Sequence, residues 1–286
     1  MKANRYIVIA ALVLGFLASC TKENGRIKES GPASADTTET GGTPPPADST
    51  YKGVVTNNYQ PDTSGSTWTY QTHQVFNFSQ STLGELEPSE NAVFGGLNID
   101  TTFSYHVQAL SGSTQVGGLT YRNYSNDFEG GVFNPAIALS NGTYTGVDVL
   151  WEVLWVGGNN FGGFSLNDDT LLYLKEQPKG TSWSETTILQ DSFGFSDTTT
   201  YTFTIKATGL TRAVNGINYP NVIQVESKTA PGFIAQFASI LASEKVDVYT
   251  TTEYYYAENV GLIEEDLSEP LMGVTITTIL LASTIK

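Results

Sequence analysis

The sequence predicts a mainly β fold built on an antiparallel sheet, and three observations carry that expectation. Apolar and polar residues alternate with period two along several stretches, as they do where one sheet face is dry and the other wet. The stretches are separated by Gly- and Asn-rich turns, and Asn-Gly tolerates positive φ at both turn centres. The chain is 40% hydrophobic and 12% aromatic but only 15% charged, which suits a packed core and excludes wholesale disorder.

Taken in order, the first strand runs from Trp68 to Phe78. One face collects Trp68, Tyr70, Thr72, Gln74, Phe76 and Phe78, and the other holds Thr69, Gln71, His73, Val75 and Asn77. Further strands are expected at 101–110, 115–123, 148–156, 170–175, 200–206, 219–228, 246–257 and 273–284. In the 200–206 strand, Tyr201, Phe203 and Ile205 oppose Thr200, Thr202, Thr204 and Lys206. Turns are expected at Asn141-Gly142, at 157–160 and at Asn215-Gly216, the last joining two strands as a hairpin. One segment departs from the pattern: Phe233, Ile234, Phe237, Ile240 and Leu241 follow the spacing of a helical stripe, so one short helix is predicted there.

The N-terminus carries Lys2 and Arg5, then an apolar run from Tyr6 to Ser19 that stops at Cys20. A basic start and a short apolar stretch make a secretory signal over residues 1–19, too short for the ~20 residues of a spanning helix. Leu17-Ala18-Ser19-Cys20 resembles the bacterial lipobox, which implies cleavage before Cys20 and acylation of its thiol and new amino group. Several acyl chains anchor far more firmly than one. Thr21 is not the Asp that resembles an inner-membrane retention signal, so the expected location is the outer membrane, with the leaflet undetermined. Residues 20–52 hold almost no large apolar side chain and read as a lipid anchor followed by a disordered Thr/Pro/Gly linker. Asp36-Thr37-Thr38 and Asp48-Ser49-Thr50 resemble a short O-glycosylation acceptor, a pattern that a plain solvated linker also satisfies. Residues 53–286 form a single all-β domain in this reading.

The formal charge is −15, and residues 53–286 alone hold −16. Nucleic-acid binding needs clustered Lys and Arg and is excluded. An acidic domain also repels anionic headgroups, so the membrane is reached through the N-terminal lipid.

Residues able to carry chemistry are few. One Cys excludes an internal disulfide, and two His leave little for a zinc site or a Ser/His/Asp triad. His73 and His106 fall on polar strand faces, where a joint role would require adjacent strands in register. No nucleophile elbow, zinc-protease helix motif or phosphate-cradling loop is present in the sequence. No catalytic residue, metal ligand or cofactor is therefore assigned. The 148–156 stretch is apolar on both faces and includes Trp151, Glu152 and Trp155. Such a strand is either central in the core or lines a cavity, where a carboxylate's pKa would be raised unless paired. Trp151 and Trp155 lie roughly 13 Å apart along a strand, the span of two or three sugar rings. Aromatic platforms stack on sugars, although aromatics also build ordinary β cores. These three residues are the candidate ligand-binding set. Asn167-Asp168-Asp169 and Glu264-Glu265-Asp266 with Glu269 supply hard oxygen ligands but lack EF-hand spacing. They are read as solvated turns, with 264–269 as the loop before the last strand.

The C-terminal half resembles a loose group of uncharacterised Bacteroidetes-type outer-membrane lipoproteins. The resemblance rests on Trp183 after Pro178-Lys179-Gly180-Thr181-Ser182, on Tyr201-Thr202-Phe203, on Gly216 through Val225, and on Tyr254 through Ile263, together with Trp68-Thr69-Tyr70. It implies a long-stranded, curved antiparallel sheet, an open half-barrel or sandwich, with a helix nearby. The expected function is a non-enzymatic ligand- or partner-binding β domain tethered to the envelope, its partner a glycan, an amphiphile or an envelope protein. A carboxylate-based glycan hydrolase using Glu152, and a purely structural envelope protein, are the alternatives.

Overall fold

The computed structural model describes residues 55–77, 98–127, 135–147, 153–156, 159–163, 170–190, 196–231, 249–270 and 273–286. The signal, Cys20, the linker, Trp151, Glu152, the 167–169 cluster and the predicted helix at 233–241 lie outside them.

Twelve strands form one antiparallel sheet. In chain order they are β1 (Thr67–Asn77), β2 (Asn98–Val116), β3 (Leu119–Asn126), β4 (Ala136–Ser140), β5 (Thr143–Val147), β8 (Thr170–Lys175), β9 (Ser182–Gln190), β10 (Ser196–Val214), β11 (Ile217–Pro231), β12 (Thr250–Ala257), β13 (Gly261–Glu269) and β14 (Val274–Thr284). Between β5 and β8, β6 (Val153–Val156) and β7 (Asn159–Gly163) make a separate two-stranded sheet. The large sheet is a meander in which β1 also pairs with β14, with Gln71 opposite Ile279 and His73 opposite Thr277. The expected curved antiparallel sheet is present and curls until it is nearly a closed barrel. Its free edges are β8 and β9, consecutive in sequence but not paired by a ladder.

That seam is held by side chains. Trp183 on β9 donates its indole N–H to the Leu172 carbonyl on β8 at 2.7 Å. The Lys175 ammonium sits 4.9 Å from the centre of the same ring, a cation–π contact. Covering edge carbonyls in this way blunts the template that an open strand edge presents to other chains.

β1 alternates as the sequence requires: Trp68, Tyr70, Thr72, Gln74 and Phe76 are buried and face the barrel interior. Both Asn-Gly turns are found, with Asn141 and Gly142 at φ 49° and 74° and Asn215 and Gly216 at 49° and 78°. The 148–156 stretch departs from expectation. Its described part, 153–156, pairs with β7 and not with the large sheet. No helix occurs among the described residues.

Strand direction gives the barrel two unlike ends. At one end lie the short turns β2–β3, β4–β5, β10–β11 and β12–β13, the β8–β9 connection, and a strap formed by residues 55–66. At the other end the chain leaves and returns through its long connections, residues 78–97, 127–135, 148–169 and 232–249.

The strap is bonded across the first end. The Glu176 carboxylate accepts from the Thr56 N–H and the Asn57 N–H, both at 2.6 Å, and from the Tyr144 hydroxyl at 2.6 Å. Tyr144 in turn accepts from the Tyr59 N–H at 2.9 Å. The Asn58 carbonyl accepts from the Asn259 N–H at 2.7 Å, and the Pro61 carbonyl from the Tyr124 hydroxyl at 3.0 Å. Gly142 is required where it stands, because a Cβ there would lie 2.9 Å from Val55 and 3.2 Å from Glu176.

Candidate functional site

The inner face of the barrel changes character along its length. Beside the strap it is aromatic: Trp68, Tyr124, Tyr144, Tyr173 and Tyr256 are buried in one cluster. The Trp68 indole donates to the Val260 carbonyl at 2.6 Å, and the Tyr70 hydroxyl to the Leu262 carbonyl at 3.1 Å. Toward the other end hydroxyls and an amide join the inward positions, beside a second, smaller apolar cluster of Phe76, Leu267 and Val274. Thr72, Gln74, Ser227, Thr229, Thr250, Thr252 and Thr278 are all buried. Cross-strand pairing sets them side by side, with Thr72 opposite Thr278, Ser227 opposite Thr252 and Thr229 opposite Thr250. The Thr72 and Thr278 hydroxyls share a hydrogen bond of 2.9 Å.

Two carboxylates belong to this inner face. Glu265 falls between inward Ile263 and Leu267 on β13 and opposes Tyr254 and Thr278. Burial pushes the hydroxyls of Tyr70, Tyr105 and Tyr256 above the usual tyrosine range, and the charge of Glu265 adds to it. Glu185 opposes Tyr201 on the edge strand. Burial raises its carboxyl pKa, and Lys175 partly offsets the rise. The Tyr173 hydroxyl is buried with no hydrogen-bond partner, and desolvation raises it well above its ordinary value. Inward hydroxyls, an amide and carboxylates can hold a polar ligand.

Among the sequence-predicted residues, Trp155 lies on β6 opposite Asn160, within the β5–β8 connection. That connection departs from the barrel end toward which the polar inner face extends. Trp151 and Glu152 lie outside the described residues.

The two histidines are on the outer face and are not joined. His73 bonds Asp100 at 2.8 Å and His106 bonds Asp127 at 2.9 Å. His106 opposes Thr69 and His73 opposes Thr102, which separates them by four residues, roughly 13 Å of strand. The His106 backbone N–H also donates to Asp127, and this bond leads the effects that lower that carboxyl's pKa. No group of three or more His, Cys, Asp or Glu side chains among the described residues is placed to hold a metal ion.

The 264–269 segment is not a loop but most of β13. Glu264 and Asp266 face outward, and the Arg212 Nε lies 2.6 Å from Glu264 while Nη2 lies 3.9 Å from Asp266. The guanidinium carbon sits 4.0 Å from the centre of the Tyr255 ring. The sequence misleads here because a strand charged on both faces lacks period-two alternation.

Fold and inner face together define an antiparallel meander barrel, crossed by a strap at one end and lined with both polar and apolar groups toward the other. The chain is similar to two solved structures. One is a protein from Parabacteroides distasonis described as a lipoprotein, with 10% identity and a TM-score of 0.41, covering 79% of this chain and 98% of that one. The other is an exported protein with a YmcC-like fold from Bacteroides fragilis, with 11% identity and a TM-score of 0.35, covering 78% of this chain and 97% of that one. No protein-family model and no curated protein matches the chain.

Proposed function

We propose that this chain is a lipid-anchored binding protein of the outer membrane, and that its barrel holds a polar, ring-containing ligand, an oligosaccharide, at the end bearing the long connections. The observation that carries this reading is the appearance on the inner face, beyond the packed aromatics, of hydroxyls, an amide and a carboxylate beside the apolar Phe76, Leu267 and Val274, a mixed lining of the kind a sugar's hydroxyls and C–H faces match. Trp151 and Trp155 belong to a connection at the same end and supply stacking surface of the kind sugars use. The chain enters the barrel through the strap at the opposite end, so a tether from Cys20 joins the protein where the lining is closed and leaves the polar end free.

Binding is tested with the full chain in detergent on a glycan panel, by calorimetry and against amphiphiles. Trp151→Ala with Trp155→Ala, and separately Glu265→Gln, are expected to weaken glycan binding at least tenfold. Equal binding by all variants, or preference for amphiphiles, refutes the reading. Turnover on the same panel would favour the hydrolase alternative. The anchor is tested by labelling with radioactive palmitate: wild type takes up label and partitions with outer membrane, and Cys20→Ala does neither.

A further inference from the structure

At the strapped end, away from the polar lining, a separate recess of about 300 Å³ lies between the strap and the inner faces of β2, β3 and β4. Asp62, Ser113, Thr120, Arg122, Ile137 and Leu139 line it. Its base is Arg122, held in place by an irregularity in β2. The β2–β3 register shifts between Ala109 and Ser113, and Arg122 Nη1 donates to the Leu110 and Ser111 carbonyls in that stretch, at 3.4 and 3.2 Å.

That fixes one side of the guanidinium and leaves the other unused. Nε is buried with no hydrogen-bond partner, which is unfavourable for a group taken from water. The Nε–Nη2 side is the one that takes a carboxylate with two parallel bonds. Asp62 lines the same recess, yet the two side chains form no ion pair. The wall therefore offers a cation and a carboxylate apart from one another, the hydroxyls of Ser113 and Thr120, and an aliphatic surface from Ile137 and Leu139.

We infer that this recess binds a sugar acid, with the uronate carboxylate on the Nε–Nη2 side of Arg122, ring hydroxyls on Asp62, Ser113 and Thr120, and the ring's C–H face on Ile137 and Leu139. Because Nε is sealed from solvent in this structure, binding turns the Arg122 side chain toward the recess and exchanges part of its hold on the β2 carbonyls for the ligand's carboxylate. The inference is independent of the reading of the opposite end, because no lining residue is shared.

The test is calorimetry and ligand-observed NMR on the full chain in detergent with D-glucuronate, D-glucose and acetate. Glucuronate is expected to bind at least tenfold more tightly than glucose, which lacks the carboxylate, and than acetate, which lacks the ring. Methyl glucuronoside tells a chain-linked uronate from the free acid, and binding of either form supports the site. Arg122→Gln is expected to lose at least tenfold in affinity. Because that change also disturbs the β2 irregularity, Leu139→Trp serves as a second variant, filling the recess without touching Arg122's bonds, and it too should abolish binding. Failure of wild type to bind either glucuronate or its glycoside, equal binding of glucose, or undiminished binding by Leu139→Trp overturns the proposal.

Discussion

Replacing Glu176 by Gln removes one charge at nearly constant shape and should release the strap. The side chain is 2% exposed. One carboxylate oxygen accepts from the Thr56 N–H at 2.6 Å and the Thr56 hydroxyl at 3.1 Å, and the other from the Asn57 N–H and the Tyr144 hydroxyl, both at 2.6 Å. An amide has one acceptor, so in either orientation its NH₂ confronts two donors. Two bonds to a charged acceptor are lost, at about 1.5–3 kcal/mol each. The Thr56 or Tyr144 hydroxyl can rotate to recover part, which leaves an expected loss of about 3–4 kcal/mol. For a domain of this size that is a fall in Tm of roughly 6–16 °C. Urea unfolding followed by tryptophan fluorescence measures the loss, and hydrogen exchange at the Thr56 and Asn57 amides locates it. Tyr144→Phe removes one of the same bonds, so the double variant should be less destabilised than the sum of the singles, by about 1 kcal/mol or more. A Glu176→Gln protein within about 1 kcal/mol of wild type, with unchanged exchange at both amides, would refute the latch.

Gly142→Ala should cost about 2 kcal/mol, from a residue with a side chain forced to positive φ and from its contact with Val55; thermal unfolding measures it, and faster exchange in the strap should accompany it. Trp183→Phe keeps the stack on Phe203, 5.3 Å between ring centres, but deletes the bond to Leu172; a loss of about 1 kcal/mol is expected, with exchange rising in β8 and β9. The protein should also fail sharply in alkali. Burial holds the pKa values of Tyr70, Tyr105, Tyr173 and Tyr256 above the tyrosine range, so these groups keep their protons when folded and release them near pH 10 once unfolded. Their contribution is complete below that pH and falls as pH rises through and beyond it, by at most about 1.4 kcal/mol per group per unit. Tyrosinate absorbance should appear together with unfolding, and gradual ionisation of the folded protein would contradict this.

The sequence made some elements plain and concealed others for physical reasons. β1 and the β10–β11 hairpin are legible because each combines alternation with a clear boundary, Asn215-Gly216 in the second case. β4 is hidden because Ala136, Ile137 and Ala138 are all buried, which erases the period of two. β9 is hidden because Trp183 is followed by hydroxyls and Glu185, and its other large apolar residues, Ile188 and Leu189, are adjacent and not alternating. Long range conceals the strap: Glu176 meets Thr56 across 120 residues of chain, and no local pattern marks such a pairing. The polar lining did leave a trace. Thr72 and Gln74 interrupt the otherwise aromatic face of β1, and polar residues within a buried stripe point to a lined interior rather than a filled one.

The barrel's width explains why its filled half is tyrosine-rich. Eight strands enclose an interior that ordinary side chains fill, and diameter grows with strand number, so twelve demand long, rigid groups. Tyrosine spans the gap, but each buried hydroxyl then needs a partner. Tyr70 finds the Leu262 carbonyl within the sheet. Tyr124 and Tyr144 find theirs only at the strapped end, at the Pro61 carbonyl and the Glu176 carboxylate. Glu176 is in turn a buried charge whose other bonds come from Thr56 and Asn57. Withdrawing the strap would thus strand a hydroxyl, a carboxylate and the Asn259 amide together, each costly without a partner. The segment that leads into β1 is therefore a part of the barrel's core, and the two should unfold as one unit.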